Sequence, residues 1–183
     1  MQAWYNSRKA AQIAAYFAIR QGGTIPVLKL VKLIYLADRA FMDAFDASML
    51  RDQLVSMDHG PVNSITLNQI NGLDVGDGWG EFVRDRENYA VSATHQDLTD
   101  DDFDELSRAE LKTLHQAWEQ FGHMSKYAIR DYTHNHCPEW HDPEGSSFPI
   151  RYRDVFAALG KADPTGLENQ VMAERELHVT LRG

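Results

Sequence analysis

His134, His136, Cys137 and His141 offer imidazole and thiolate side chains, the ligands zinc prefers, within one short stretch. Their spacing argues against a metal site. His134 and His136 point to different sides of either a helix or a strand, and no second paired motif completes a tetrahedral set. Cys137 as a nucleophile would need a positioned base and an electropositive pocket, whereas Pro138 follows it directly in an acidic chain. The run from Asp97 to Glu105 is acidic enough to suggest calcium. Counted from Asp100, however, the sixth and twelfth places of an EF-hand loop hold Glu105 and Leu111 instead of glycine and glutamate. The run reads better as an acidic approach to a helix start. Gly76-x-Gly78-x-Gly80 lacks a following Gly-Lys-Ser/Thr and a helix to complete a phosphate loop, so it reads as a flexible turn. No Ser-His-Asp signature, His-Glu-x-x-His motif or kinase loop occurs. No cofactor or metal is expected.

The elements that would position these residues are mostly helices. Ser7 can cap a helix to about Arg20, with Ala10, Ile13, Ala14, Phe17 and Ala18 on one stripe and Gly22-Gly23 as the stop. A second helix is expected from Thr24, with Pro26 in its first turn, to Phe41. Lys29, Lys32, Arg39 and Asp43 form the only strip on it that looks made for water, so it should lie at the centre of a bundle. Gln53 to Met57 is strand or loop, His59-Gly60-Pro61 breaks the chain, and Val62 to Ile70 reads as helix. Trp79 to Arg84 and Tyr89 to Ala93 alternate across Asp85-Arg86-Glu87-Asn88, as a half-exposed hairpin does. Ser107-x-x-Glu110 is a capping box for a helix ending at Gly122. Ser125 caps another to about Asn135, and Asp154 to Leu159 is a short one. Thr165-x-x-Glu168 opens a last helix whose apolar residues are sparse enough to need a partner surface. The expected class is mainly α: a single-domain bundle around a central hydrophobic helix, with one small β-hairpin.

A net charge of -9 makes nucleic acid a poor direct partner. One cysteine fits a reducing compartment. The opening residues Met1 to Asn6 lack a basic start and apolar run, and no run of about 18 apolar residues occurs, so a cytoplasmic protein without membrane contact is expected. The sequence sets no oligomeric state.

The helix Lys29-Leu30-Val31-Lys32-Leu33-Ile34-Tyr35-Leu36-Ala37-Asp38-Arg39, followed by Met57-Asp58-His59-Gly60-Pro61-Val62, resembles the paired signature of the Panacea domain family, SocA-like antitoxins also described as phage-associated. Leu106-Ser107-x-x-Glu110, then Thr133-His134 with Pro138-Glu139-Trp140, continue the likeness. The resemblance implies a Panacea domain over residues 1–160 and a helical extension over 161–183. It also implies an antitoxin of a type II-like system that neutralises a cognate toxin, often an inhibitor of translation, by direct binding. An adaptor branch of the family would instead deliver the toxin to a cytoplasmic protease. A rival of another class is an enzyme reversing a toxin's modification, with His59 or His134 as general base. No added DNA-binding region is expected, and an acidic surface would steer a basic toxin.

The motif positions Lys32, Tyr35, Asp38, Arg39, His59, Gly60, Pro61, Val62, His134 and Trp140 are candidates for the toxin interface or for structural roles. Tyr35 and Asp38 are expected to hydrogen-bond the His59-Gly60 turn. That turn either presents backbone groups to a partner or simply redirects the chain. Trp140 is either a core plug or an interface residue.

Overall fold

The computed structural model describes residues 2–182, residue 182 by its backbone alone. Met1, which heads the opening segment, and Gly183, which ends the expected extension, lie outside the described residues.

Helix α1 (Ser7–Arg20) is capped by Asn6, whose side chain accepts from the Lys9 amide, and not by Ser7. Ser7 turns inward and donates to Gln69. Its apolar contacts exceed the expected stripe, since every residue from Ala10 to Ala18 is buried. Five alanines among them let neighbours approach closely from several sides. Gly22 and Gly23, at φ +100° and +103°, end the helix.

Thr24–Pro26 is a strand, β1, and not the first turn of a helix. Its partners explain this: Thr24 and Ile25 pair antiparallel with Ser92 and Val91 of β4 (Ala90–Ser92). Helix α2 (Val27–Phe45) then runs four residues past the expected Phe41 to a left-handed Asp46. Val27, Leu30, Val31, Leu33, Ile34 and Leu36 are all buried on it, as apolar residues around the whole circumference require. α2 packs against α1, β3 (Gly60–Asn63), α5 (Arg108–Phe121) and α6 (Lys126–His136). The strip expected in water divides: Lys29 and Lys32 are buried, Arg39 is half-buried and only Asp43 is exposed. Each buried ammonium reaches a protein oxygen, Lys29 that of Gly122 and Lys32 that of Pro61. That contact is what allows burial.

The described residues form two small sheets instead of one hairpin. β2 (Leu54–Met57) and β3 form a hairpin about Asp58-His59, with Val55 opposite Val62 and Met57 opposite Gly60. β5 (Phe148–Ile150) covers the other edge of β2. Val62 therefore lies in a strand, and the helix expected from it, α3, begins only at Ser64 and ends at Ile70. The expected hairpin at 79–93 is mostly absent. Trp79–Phe82 is a four-residue helix, α4, that buries Trp79 and Phe82 three residues apart on one face. Only the bridges Val83–Ala93 and Glu87–Ala90 remain of the pairing, because β4 is taken by β1. α4 also opens directly after Gly78, where no helix was expected, although one turn is too short to build a phosphate loop.

The other two expected serine caps, at Ser107 and Ser125, are present. Ser107 and Glu110 complete a capping box on α5, and Ser125 accepts from the Ala128 amide to start α6. The chain continues through α7 (Tyr152–Ala158) to α8 (Pro164–Arg182). The cap of α8 is Asp163, which accepts from the Gly166 amide, and not the expected Thr165. Glu168 instead reaches the Arg153 amide at 3.0 Å and ties α8 to α7. Arg175 donates to the backbone oxygens of Arg51 and Asp52, so the sparse apolar face of α8 has polar anchors. Beyond them Leu177 and Leu181 are exposed. Among the described residues no helix is long and apolar enough to cross a membrane.

Candidate functional site

The motif residues converge on α2 but divide along it. In its second half, the Glu139 carboxylate is fully enclosed and accepts from the Tyr35 hydroxyl at 2.7 Å. It also accepts a two-pronged contact from Arg39, at 2.7 and 3.2 Å. This bidentate pair is the strong form of a charge-assisted bond. One turn on, Asp38 accepts from the Met49 amide at 2.7 Å, from the Ser48 hydroxyl at 2.9 Å and from Asn63 at 3.4 Å. Burial pushes its carboxyl up and these three donors pull it back. Together the contacts fasten α2 to the segment after α6, to the Ser48–Met49 segment that leads to β2 and to the end of β3.

Tyr35 and Asp38 thus do not bond the His59-Gly60 turn as expected. Lys32 does, with its ammonium 2.9 Å from the Pro61 oxygen. One helical turn separates Lys32 from Tyr35, and the hairpin crosses α2 at the lysine. Gly60 makes that approach possible: it sits at φ +102°, and a Cβ there would lie 2.7 Å from the Thr133 hydroxyl and 3.0 Å from Lys32 Nζ. Burial lowers the Lys32 ammonium to about 7.

His134 and Trp140 stack face to face, with ring centroids 4.0 Å apart and planes 2° from parallel. Trp140 donates its indole N–H to the Met57 oxygen at 2.9 Å, so it pins the hairpin from outside while remaining half-buried. His134 Nε2 is buried without a hydrogen-bond partner among the described residues. Burial, then the nearby charges of Lys32 and Arg130, hold this imidazole below its ordinary range. His136 stacks on Tyr132 instead. Cys137 is buried beside Glu139, and burial raises its thiol to about 12. A thiol in that state is a packing group. Among the described residues no three His, Cys, Asp or Glu side chains gather as a metal cage.

The first half of α2 borders a groove of about 620 Å³. Val27, Leu28, Val31 and Val62 give it an apolar floor, and Lys32 lines the same wall. His59 and Asp58, at the hairpin turn, form one rim; Arg86 with Tyr89, and Lys126 with Tyr127 and Arg130, form the others. Tyr89 is 76% and Tyr127 54% exposed. Lys126 and Arg130 both sit over the Tyr127 ring, at 5.1 and 5.3 Å, and Arg86 sits over Tyr89 at 5.6 Å. Four cations against the single acid Asp58 make this a basic groove on an acidic protein.

Of the motif positions, Lys32, Tyr35, Asp38, Gly60, Pro61, Val62, His134 and Trp140 thus belong to the joint between α2, the hairpin and α6. Arg39 braces it, and His59 alone stands out on the groove rim. Sequence reasoning missed Glu139 as the hub and Arg86, Tyr89, Lys126, Tyr127 and Arg130 as groove residues. Glu139 stood inside a quoted motif, where an acid two residues after Cys137 in a buried turn was the available signal. The groove cations offered none, since they come from separate segments.

No curated protein matches the chain, and no solved structure does. The sequence model of the family described as "Antitoxin SocA-like, Panacea domain" matches residues 30–141. That span runs from the helix carrying Lys32 and Tyr35 through the hairpin to the Glu139–Trp140 turn, covering more than half of the chain and all of the joint just described. By this match the chain belongs to the SocA-like antitoxin family and carries its Panacea domain.

Proposed function

We propose that the chain is the antitoxin of a bacterial toxin–antitoxin pair and neutralises its toxin by binding it, without making or breaking a bond. The family match carries this reading. The geometry supports it, because neutralisation needs a rigid surface that covers a partner, and the polar motif residues are spent on rigidity. Tyr35, Asp38, Arg39 and Glu139 are bonded to one another or to neighbouring segments and offer no group to a substrate. His134, a rival general base, has its Nε2 buried and its ring against Trp140, away from any reacting atom. Within this reading, residues 1–160 are the binding domain and 161–183 an extension anchored through Arg175.

The test is co-expression with the protein encoded by the adjoining reading frame. The expected result is that the neighbour arrests growth alone, that this chain restores growth, and that the two co-purify in fixed ratio. Rescue that persists at trace amounts of this chain, and vanishes in a His59→Ala/His134→Ala variant that still co-purifies, would mark an enzyme instead. Rescue confined to cells holding the cytoplasmic proteases would mark an adaptor.

A further inference from the structure

Lys32 combines three N–H donors with, among the described residues, a single acceptor, the Pro61 oxygen, and is 1% exposed. Buried ammonium groups are normally surrounded by acceptors, and one so sparsely served lowers its free energy when an anion arrives. The groove it lines has three further cations on its rims, Arg86, Lys126 and Arg130. Among the described residues, Arg130 alone of these has an acid partner, Asp131. α2 and α6 also begin at this groove, so the positive ends of two long helices add to the same potential. The floor is aliphatic, and the two tyrosines stand exposed above it.

We infer that this groove is the docking surface for an acidic segment of the neutralised protein, with carboxylates meeting Arg86, Lys126 and Arg130 and one completing the hydrogen bonding of Lys32. The inference rests on the antitoxin reading and adds to it the face and the chemistry of the partner. Charge decides for a short acidic peptide over nucleic acid. A phosphate backbone would run on past the groove onto the surface of a chain with net charge -9, where it is repelled. A peptide can place carboxylates on the cations and apolar side chains on Val27, Leu28 and Val31 in alternation, which a sugar-phosphate chain cannot. The exposed tyrosines, already held by cations, supply rigid contact area of the kind interfaces favour.

The experiment measures affinity for the toxic neighbour's product by calorimetry, using the full chain. Lys126→Glu/Arg130→Glu reverses two groove charges; Arg108→Glu/Lys112→Glu reverses two exposed charges on α5 as the matched control. The groove variant is expected to stay folded by circular dichroism and to bind about 100-fold more weakly, while the control changes by less than about threefold. Lys32→Met should weaken binding about tenfold while the chain stays folded by circular dichroism. Equal loss in both double variants, or none in the groove variant, overturns the inference while leaving the antitoxin reading intact. A wild-type chain that neither binds nor rescues overturns that reading itself. Displacement of the partner by an oligothymidylate that needs Lys126 and Arg130 would give the groove to nucleic acid and also overturn the inference.

Discussion

The two halves of α2 carry the same kinds of residue and treat them differently. In the second half Tyr35 donates to the Glu139 carboxylate, Arg39 forks onto the same carboxylate, and Asp38 accepts from the Ser48–Met49 turn, so each charge there meets an opposite charge or several donors. In the first half Lys32 is as deeply buried but meets one carbonyl, beside a groove whose cations mostly lack acids. A polar network with matched partners holds a fold in one arrangement, whereas a buried ammonium with one acceptor leaves hydrogen-bonding capacity unused. If the groove receives the partner as inferred, the motif that identifies the family mixes two jobs, and residue type does not tell them apart.

The contrast can be broken at its strongest point first. Glu139→Ala leaves the half-buried Arg39 guanidinium and the buried Tyr35 hydroxyl without their acceptor, and urea unfolding should show a loss of about 3 kcal/mol. A loss below about 1 kcal/mol would mean that the second half is not what holds the chain together. Asp38→Asn keeps the shape but replaces one acceptor oxygen by a donor facing the Met49 amide or Ser48, for an expected loss of about 2 kcal/mol.

Gly60→Ala tests the seam between the halves. The new methyl meets the Thr133 hydroxyl and the Lys32 ammonium at a backbone angle that suits glycine, which should cost about 2 kcal/mol and disturb the hairpin next to the groove. Lys32→Met should change stability least, by about 1 kcal/mol at most at neutral pH, since relief from burying a charge offsets the lost bond to Pro61. Its sign depends on pH. With the folded ammonium near 7 and the unfolded one at its ordinary 10.5, the unfolded chain binds more protons between these values. The wild type should then gain stability relative to Lys32→Met as pH rises from 7 towards 10, and the gap should stay constant below 7. Parallel curves across that range would show that Lys32 is not desolvated.

Much of this was legible in the sequence where one local rule decided the outcome. The capping box at Ser107, the Ser125 cap and the glycine stop at Gly22-Gly23 fix helix ends through contacts a few residues apart, and the Lys29 to Arg39 motif identified the family. What could not be read depends on distant partners. Thr24–Pro26 is a strand because residues 90–92 pair with it, and the alternation at 79–84 gave way to a helical turn because Trp79 and Phe82 share one buried face. Lys32 looked solvated because nothing near it in sequence announces the Pro61 oxygen. The groove assembles cations from residues 32, 86, 126 and 130, so neither its charge nor its shape has a local signature.

The central claim, that one half of α2 holds the fold while the other receives the partner, is tested most directly by amide hydrogen exchange on the chain with and without its bound toxin. The account predicts new protection at the groove, across residues 26–32, 57–62, 86–89 and 126–130, with little change around Tyr35 to Asp52. Protection gained elsewhere, with the groove exchanging as fast as in the free protein, would contradict it.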